Sequence, residues 1–326
     1  MANSTPFEAF MAKYEKLDPI EKVIFRLYSF FHEPGYDGKV YDCLKKADPH
    51  SAESIKIPAR LKIYKDSLVK KGFLDRKHQC YPEYSLFGSY LAGRENNAKK
   101  LGEEIVSVFY LSAWNCYDLD SIIMKFKVGV FLLNDKEEWE AAYDLYRSYE
   151  NRMNRATGDL FIQFLATPFV PKIFSSFSET LRAHILISML IHSLHGIKDD
   201  QEILTRAMDF LNHATSTDDR AVFTLVLNVA TRLFFGGRID DVIDLSNKET
   251  FAAVSPYLKA MVEVYRGNHD LALALFDEVM VMRRNVIQEK EPVLSGISGY
   301  LYVLVRLKFT KPADLKKLST YITKNA

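Results

Sequence analysis

Several familiar signatures are missing from this chain, and each absence removes a class of function. There is no C-x-x-C pair, and the three cysteines, Cys43, Cys80 and Cys116, are odd in number and far apart. A disulfide framework or a thiolate metal site needs paired thiols, so this usage points to a reducing compartment, and a cytoplasmic location is expected. Neither a G-x-x-x-x-G-K-[ST] loop nor a G-x-G-x-x-G after a strand occurs. Without those backbone cradles for phosphates, nucleotide hydrolysis is not expected. Met1 to Phe10 lacks a basic segment followed by a long apolar one, and apolar runs such as His184 to Leu194 are broken by His and Ser. No signal peptide and no membrane span are therefore expected. Charge of one sign is lacking too: 43 basic against 42 acidic side chains leave +1, so any attraction for nucleic acid must come from a local patch.

What is present is enough apolar surface for two cores. The chain has 326 residues, 48% of them hydrophobic, and single cores stop growing at roughly 250 to 300 residues. The stretch from Pro82 to Asn97 carries Pro82, Gly88, Gly93 and Asn96-Asn97, and reads as the connection between domains at 1–90 and 91–326.

In the first part, Asp18-Pro19 opens a helix as N-cap and first helical residue, with Ile20, Val23, Ile24, Leu27 and Phe31 as its stripe and His32-Glu33-Pro34-Gly35 as its stop. A second helix fits Lys39 to Lys46, with Val40, Cys43 and Leu44 inward, and Asp48-Pro49 breaks it. A third fits Pro58 to Lys71, with Leu61, Tyr64 and Leu68 on one face and Gly72 as its end. Phe73-Leu74 and Cys80-Tyr81, separated by Asp75-Arg76-Lys77-His78-Gln79, read as a small β-hairpin. Three helices followed by a two-stranded wing resemble a winged helix domain, with Leu68 to Leu74 similar to the end of the third helix and the first wing strand.

Between Ile55 and Cys80 stand Lys56, Arg60, Lys62, Lys65, Lys70, Lys71, Arg76 and Lys77 against only Asp66 and Asp75. The resemblance implies that the third helix enters a groove of duplex DNA and that the wing touches its backbone. Arg60, Lys62, Lys65, Lys70, Lys71, Arg76 and Lys77 are then the candidate phosphate contacts. Winged helices also dock proteins, and lysines on a short helix also serve as a solvated face, so both alternatives stand beside the first.

The second part reads as helical hairpins. The clearest runs from Pro256 to Gln288: Tyr257, Ala260, Met261, Val264 and Tyr265 recur at helical spacing, Gly267-Asn268 ends that helix, and Leu271, Leu275, Val279 and Met282 mark the stripe of the next. Ala272 and Ala274 are small enough to let a neighbouring helix approach. This hairpin resembles the tetratricopeptide repeat, with Ala260, Gly267, Ala272 and Phe276 where that motif takes small, turn, small and aromatic residues, though Glu263 stands at a tyrosine position. Glu138 to Tyr143 is similar to the second helix of the same repeat. Further helices fit Ser121 to Leu133, Glu137 to Arg152, Leu181 to His195, Gln201 to Asn212, Ala221 to Phe235, Ile239 to Ser246, Ile297 to Leu307 and Ala313 to Ile322. The turn glycines Gly196, Gly237 and Gly267 are unevenly spaced, so the expected architecture is an irregular α-solenoid and not a strict array of about 34 residues per repeat.

Other clusters have plain structural readings. Phe161, Phe164, Phe169, Phe174 and Phe177 are interrupted by Pro168 and Pro171, so the segment is no straight helix. It could line a groove for a peptide or another domain, with Phe161, Phe164, Phe169 and Phe174 as candidate partner contacts, or fill a gap between helices. His184, His192 and His195 lack any further ligand, and no metal is expected. Asp199-Asp200, Asp218-Asp219 and Asp240-Asp241 fall at helix starts, where carboxylates cap free N–H groups.

The chain is thus expected to be a mainly α, non-enzymatic interaction protein without a cofactor: a winged helix contacting nucleic acid or protein, then helical repeats that bind a protein or an adjacent domain. That layout resembles the non-catalytic amino-terminal region of bacterial Snf2-type helicases and repeat-containing transcriptional regulators. A motor, if there is one, would lie beyond Ala326. The alternative is a small-molecule sensor or enzyme with its pocket at Phe161 to Phe177, supported by a 13% aromatic content.

Overall fold

The computed structural model describes residues 6–31, 37–111, 118–153, 169–196, 201–214, 220–287 and 296–310, together with Lys316 and Ser319. Among these residues the chain is mainly α-helical and holds no β-strand; one isolated antiparallel bridge joins Leu74 to Cys80. It divides into two compact units, Met1–Ser178 and Glu179–Ala326.

The first unit opens with α1 (Pro6–Tyr14), α2 (Pro19–Tyr28), α3 (Asp37–Ala47) and α4 (Pro49–Ile55). A 3-10 turn at Pro58–Arg60 leads into α5 (Leu61–Lys70), which is followed by α6 (Pro82–Ala92) and α7 (Ala98–Phe109). Next, α8 (Leu119–Lys127) runs into a π-helical turn, Val128–Leu133, before α9 (Lys136–Met153) and the short α10 (Pro171–Phe174). Helix α2 begins where Asp18-Pro19 requires, through a complete capping box. The Asp18 carboxylate accepts from the Glu21 N–H at 2.8 Å, and the Glu21 carboxylate accepts from the Asp18 N–H at 3.0 Å. Asp48 likewise caps α4, accepting from the Ser51 N–H, so Asp48-Pro49 starts a helix as well as ending α3.

Aromatic rings build the middle of this unit. Phe10 packs against Phe87 with centroids 4.9 Å apart, and Phe25 meets Phe73 edge-on at 5.1 Å. Phe10 belongs to α1, a helix that the patterning of the first residues does not announce. Residues 82–92, expected to connect two domains, form a core helix, with Leu86, Phe87 and Ser89 all buried. The glycines there mark close approaches between helices: a Cβ on Gly88 would lie 2.7 Å from the Ser29 Cβ, and one on Gly93 2.2 Å from the Phe131 carbonyl oxygen. Turn-forming composition and tight helix packing use the same residue, which is why the two cannot be told apart locally.

The second unit comprises α11 (Glu179–Gly196), α12 (Gln201–His213), α13 (Arg220–Phe235) and α14 (Ile239–Asn247), then α15 (Ser255–Tyr265), α16 (His269–Ile287) and α17 (Gly296–Phe309). Gly237 and Gly267 both adopt positive φ, +73° and +78°, so the glycine turns between helices form as the sequence requires. Each helix from α13 onward packs on the next, and α13 and α15 also touch the next but one. Of the helix expected at Ala313 to Ile322, Lys316 and Ser319 alone are described, and both are helical.

In the α15–α16 hairpin the buried set differs from the expected stripe. Ala260, Met261, Ala272, Phe276 and Val279 are fully buried, whereas Tyr265 and Leu271 are 59% and 51% exposed. Neighbours on two sides of α16 draw its contact line through Ala272 and Phe276, one residue round from Leu271 and Leu275. Glu263 is buried as a turn clamp: its carboxylate accepts from Asn268 Nδ2 at 2.6 Å and Arg266 Nη1 at 2.8 Å. Because Ala272 sits at 0% exposure where helices meet, Ala272→Trp should lower stability by about 1 to 3 kcal/mol through overpacking. An unchanged denaturant midpoint would refute that contact.

Candidate functional site

The basic stretch resolves into two groups with different fates. Lys65 is buried at 5% exposure; its Nζ donates to both Asp37 oxygens, at 2.7 and 2.8 Å, and stands 5.5 Å from the centre of the Tyr28 ring. It cannot face phosphate, because helical geometry carries residue 65 to the same side as Leu61 and Leu68, which pack against α2. The Lys71 ammonium is taken by Glu21, at 2.5 and 2.6 Å. Burial raises the affinity of the Glu21 carboxyl for a proton, but hydrogen bonds from Lys71, Ser67 and the Asp18 N–H outweigh it and hold the group below its usual range. Lys65 thus acts as a tie within the core, whereas Lys71, whose side chain is 42% exposed, is engaged by Glu21 at the surface.

Arg60, Lys62, Lys70, Arg76 and Lys77 remain exposed, and none of them enters an ion pair with a described residue. Lys62, Asp66 and Lys70 follow at one-turn intervals along the outer face of α5. The turn that carries Arg76 and Lys77 is closed by its own hydrogen bonds and tied to that face. Asp75 Oδ1 accepts from the Lys77 and Gln79 N–H groups, both at 2.8 Å, and the Gln79 carbonyl accepts from the Asp75 N–H at 2.8 Å. His78, held at φ +64°, places its Nε2 2.9 Å from Asp66 Oδ1. The expected two-stranded wing is therefore a five-residue turn closed by the single Leu74–Cys80 bridge. The His78 hydrogen bond, with Lys62 and Lys70 nearby, keeps the Asp66 carboxyl below its usual range.

A second polar cluster lies in the core and has no counterpart in the sequence reading. Lys127 Nζ donates to Ser85 Oγ at 2.5 Å and to the Ser29 carbonyl at 3.0 Å, and the same carbonyl accepts from Ser85 Oγ at 2.7 Å. Burial lowers the Lys127 ammonium to about 8, opposed by the charges of Cys80 and Asp120. A serine beside a lysine of lowered pKa is the pairing that a nucleophile and its base require. Here, however, Ser29, Ser85 and Lys127 are at most 3% exposed and none lines the cavity described next, so a substrate has no path to the hydroxyl. The cluster instead satisfies carbonyls just past the end of α2, where a helix leaves acceptors unpaired.

A cavity of about 270 Å³ opens between α2, α3, α6 and α7. Val23, Leu27, Leu44 and Leu101 form its apolar wall, and the Arg26–Glu95 ion pair stands at its polar side. Of the aromatic segment, Phe161 and Phe164 lie outside the described residues; Phe169 and Phe174 are half-buried against each other, with centroids 5.0 Å apart. Phe177 is buried and meets Phe131 edge-on at 5.6 Å, as gap-filling rings do. Cys43 is buried, and desolvation pushes its thiol up to about 12; burial also raises the Cys80 thiol, so neither is primed as a nucleophile. No group of three metal-ligating side chains occurs among the described residues, and among them no helix is long and apolar enough to cross a membrane. Comparison of the chain with protein-family models, curated proteins and solved structures found no match.

Proposed function

We propose that the chain is a non-enzymatic interaction module in which the outer face of α5 and the 75–79 turn contact nucleic acid phosphates, while the helical hairpins of the second unit bind a protein partner or an adjacent domain. The carrying observation is the set of five exposed cations, Arg60, Lys62, Lys70, Arg76 and Lys77, on a helix face and the turn pinned beside it by His78 and Asp66. The reading keeps the resemblance to a winged helix joined to an irregular α-solenoid, and with it the layout of regulators and of the non-catalytic regions of Snf2-type helicases working in the cytoplasm. Each phosphate neutralised releases counterions, so the slope of log affinity against log salt should be about −0.9 per contact. Duplex DNA should bind weakly at low salt with a slope of about −4 to −5. Lys62→Ala with Lys70→Ala should reduce that slope by about 2 and leave the fold intact. Lys65 is excluded from such a test, since it is buried and its replacement removes the ammonium bonded to Asp37. Absence of binding to duplex DNA at low salt would leave the patch as a protein-docking surface.

The cavity beside Arg26 supports a second reading, a small-molecule sensor with an amphipathic ligand. Binding to the folded state alone must raise the melting temperature, so a ligand screen by thermal shift tests it.

A further inference from the structure

We propose that Ile63 is the side chain through which α5 distinguishes DNA sequence, by packing on the 5-methyl group of thymine in the major groove. The inference rests on the nucleic acid reading above and adds to it a residue and a base. Among the described residues of the first unit, four large apolar side chains are strongly exposed: Ile57, Ile63, Tyr81 and Tyr110. Two of them, Ile57 and Ile63, fall within the basic region, and Ile63, at 65%, is the one within α5 itself.

Its position follows from helix geometry. Leu61, Lys65 and Leu68 are buried, so the outward direction passes through residues 63 and 70, which stand two turns apart on one face. Lys70 follows Ile63 two turns on along that face, Lys62 lies to one side of it, and the turn tied to Asp66 through His78 carries Arg76 and Lys77 on that same side. The crest thus carries an apolar side chain, Ile63, and a cation, Lys70, with further cations to one side. A duplex offers partners for both, with phosphates along both edges and base edges on the groove floor. An α-helix with its side chains is about 10 to 12 Å across, which suits a groove about 12 Å wide, and the ten residues of α5 extend about 15 Å along it. An acidic peptide would match the charge but not the shape, because a convex helix crest offers it no groove. Isoleucine has no donor or acceptor, so it cannot read the hydrogen-bonding pattern of a base; the thymine methyl is the apolar feature of that groove.

The test uses the full chain and 20-base-pair duplexes at low salt, read by fluorescence anisotropy: alternating A·T, the same duplex with deoxyuridine for every thymidine, and alternating G·C. Deoxyuridine removes the methyl and keeps the pairing. Wild type should bind the thymidine duplex about three- to tenfold more tightly than the deoxyuridine duplex. Ile63→Ala should bind both alike, with the salt slope and melting temperature of the wild type. The cycle formed by the two replacements separates the contact from any change in duplex shape. Equal wild-type affinity for the thymidine and deoxyuridine duplexes, with a normal salt slope, would overturn the Ile63 proposal and leave phosphate binding standing. A methyl preference that survives in Ile63→Ala would overturn it as well. No binding to any duplex would remove both readings, and polyglutamate bound as tightly as duplex would identify the patch as a surface for acidic proteins.

Discussion

Replacing Gly93 by alanine is expected to unfold the first unit or to lower its stability by at least about 3 kcal/mol. The residue has ordinary helical φ, −66°, so conformational freedom is not what it supplies. It supplies space. The added Cβ would lie 2.2 Å from the Phe131 carbonyl oxygen and 3.1 Å from its carbon, and both are backbone atoms that no rotamer change can move aside. Relief requires α6 to separate from the π-helical turn, yet α6 also carries Ser85, Phe87 and Gly88 into the core. Gly38 is the control. A Cβ there meets nothing within 4 Å, and the site lies in α3, where alanine is the better helix former by up to about 1 kcal/mol. Gly38→Ala should therefore be neutral or slightly stabilising. Both tryptophans, Trp114 and Trp139, belong to the first unit, so their fluorescence during denaturation follows that unit alone. A Gly93→Ala midpoint equal to wild type would show that α6 and the turn at Phe131 are not in contact.

Lys127 should give the protein a stability that rises with pH over a window where most proteins lose it. Its ammonium is lowered from 10.5 to about 8 in the folded chain, chiefly by burial. Below pH 8 the lysine is charged in both states and folding bears the full cost of burying it. Between 8 and 10.5 the unfolded chain binds more protons than the folded one, so stability rises with pH, and above 10.5 the deficit is gone. A shift of this size corresponds to about 3 kcal/mol. Burial also raises the thiols of Cys43 and Cys80 and the Tyr14 hydroxyl, each of which destabilises the folded state as the unfolded group ionises at high pH. Those contributions oppose the lysine, so the informative quantity is a difference. The stability of wild type relative to Lys127→Met should increase by about 3 kcal/mol from pH 8 to 10.5, since the methionine variant shares the titrations of Cys43 and Tyr14 and alters only that of Cys80, the thiol whose charge couples to the lysine. A difference that does not change with pH would show that Lys127 reaches water.

The sequence alone determined the local features of this protein. Asp18, Pro19 and Glu21 specify a helix start because all the groups of a capping box lie within four residues, and Gly237 and Gly267 end helices because left-handed backbone strains any residue with a Cβ. The mainly α class and most of the helices from Ala98 onward followed from periodicity in the same way. The fate of each lysine did not. Lys65, Lys71 and Lys127 find partners 28, 50 and 98 residues away, and nothing within a helical turn distinguishes them from Lys62 and Lys70, which stay in water. Glycine was ambiguous for the same reason: Gly88 and Gly93 carry the composition of a linker, and only the chains opposite them make them packing positions in a core helix. Leu271 and Ala272 differ by one step round α16, and neighbouring helices decide which of them is buried. Tertiary structure settled these cases because desolvation and steric overlap depend on what lies across the gap, and a sequence window does not contain that side.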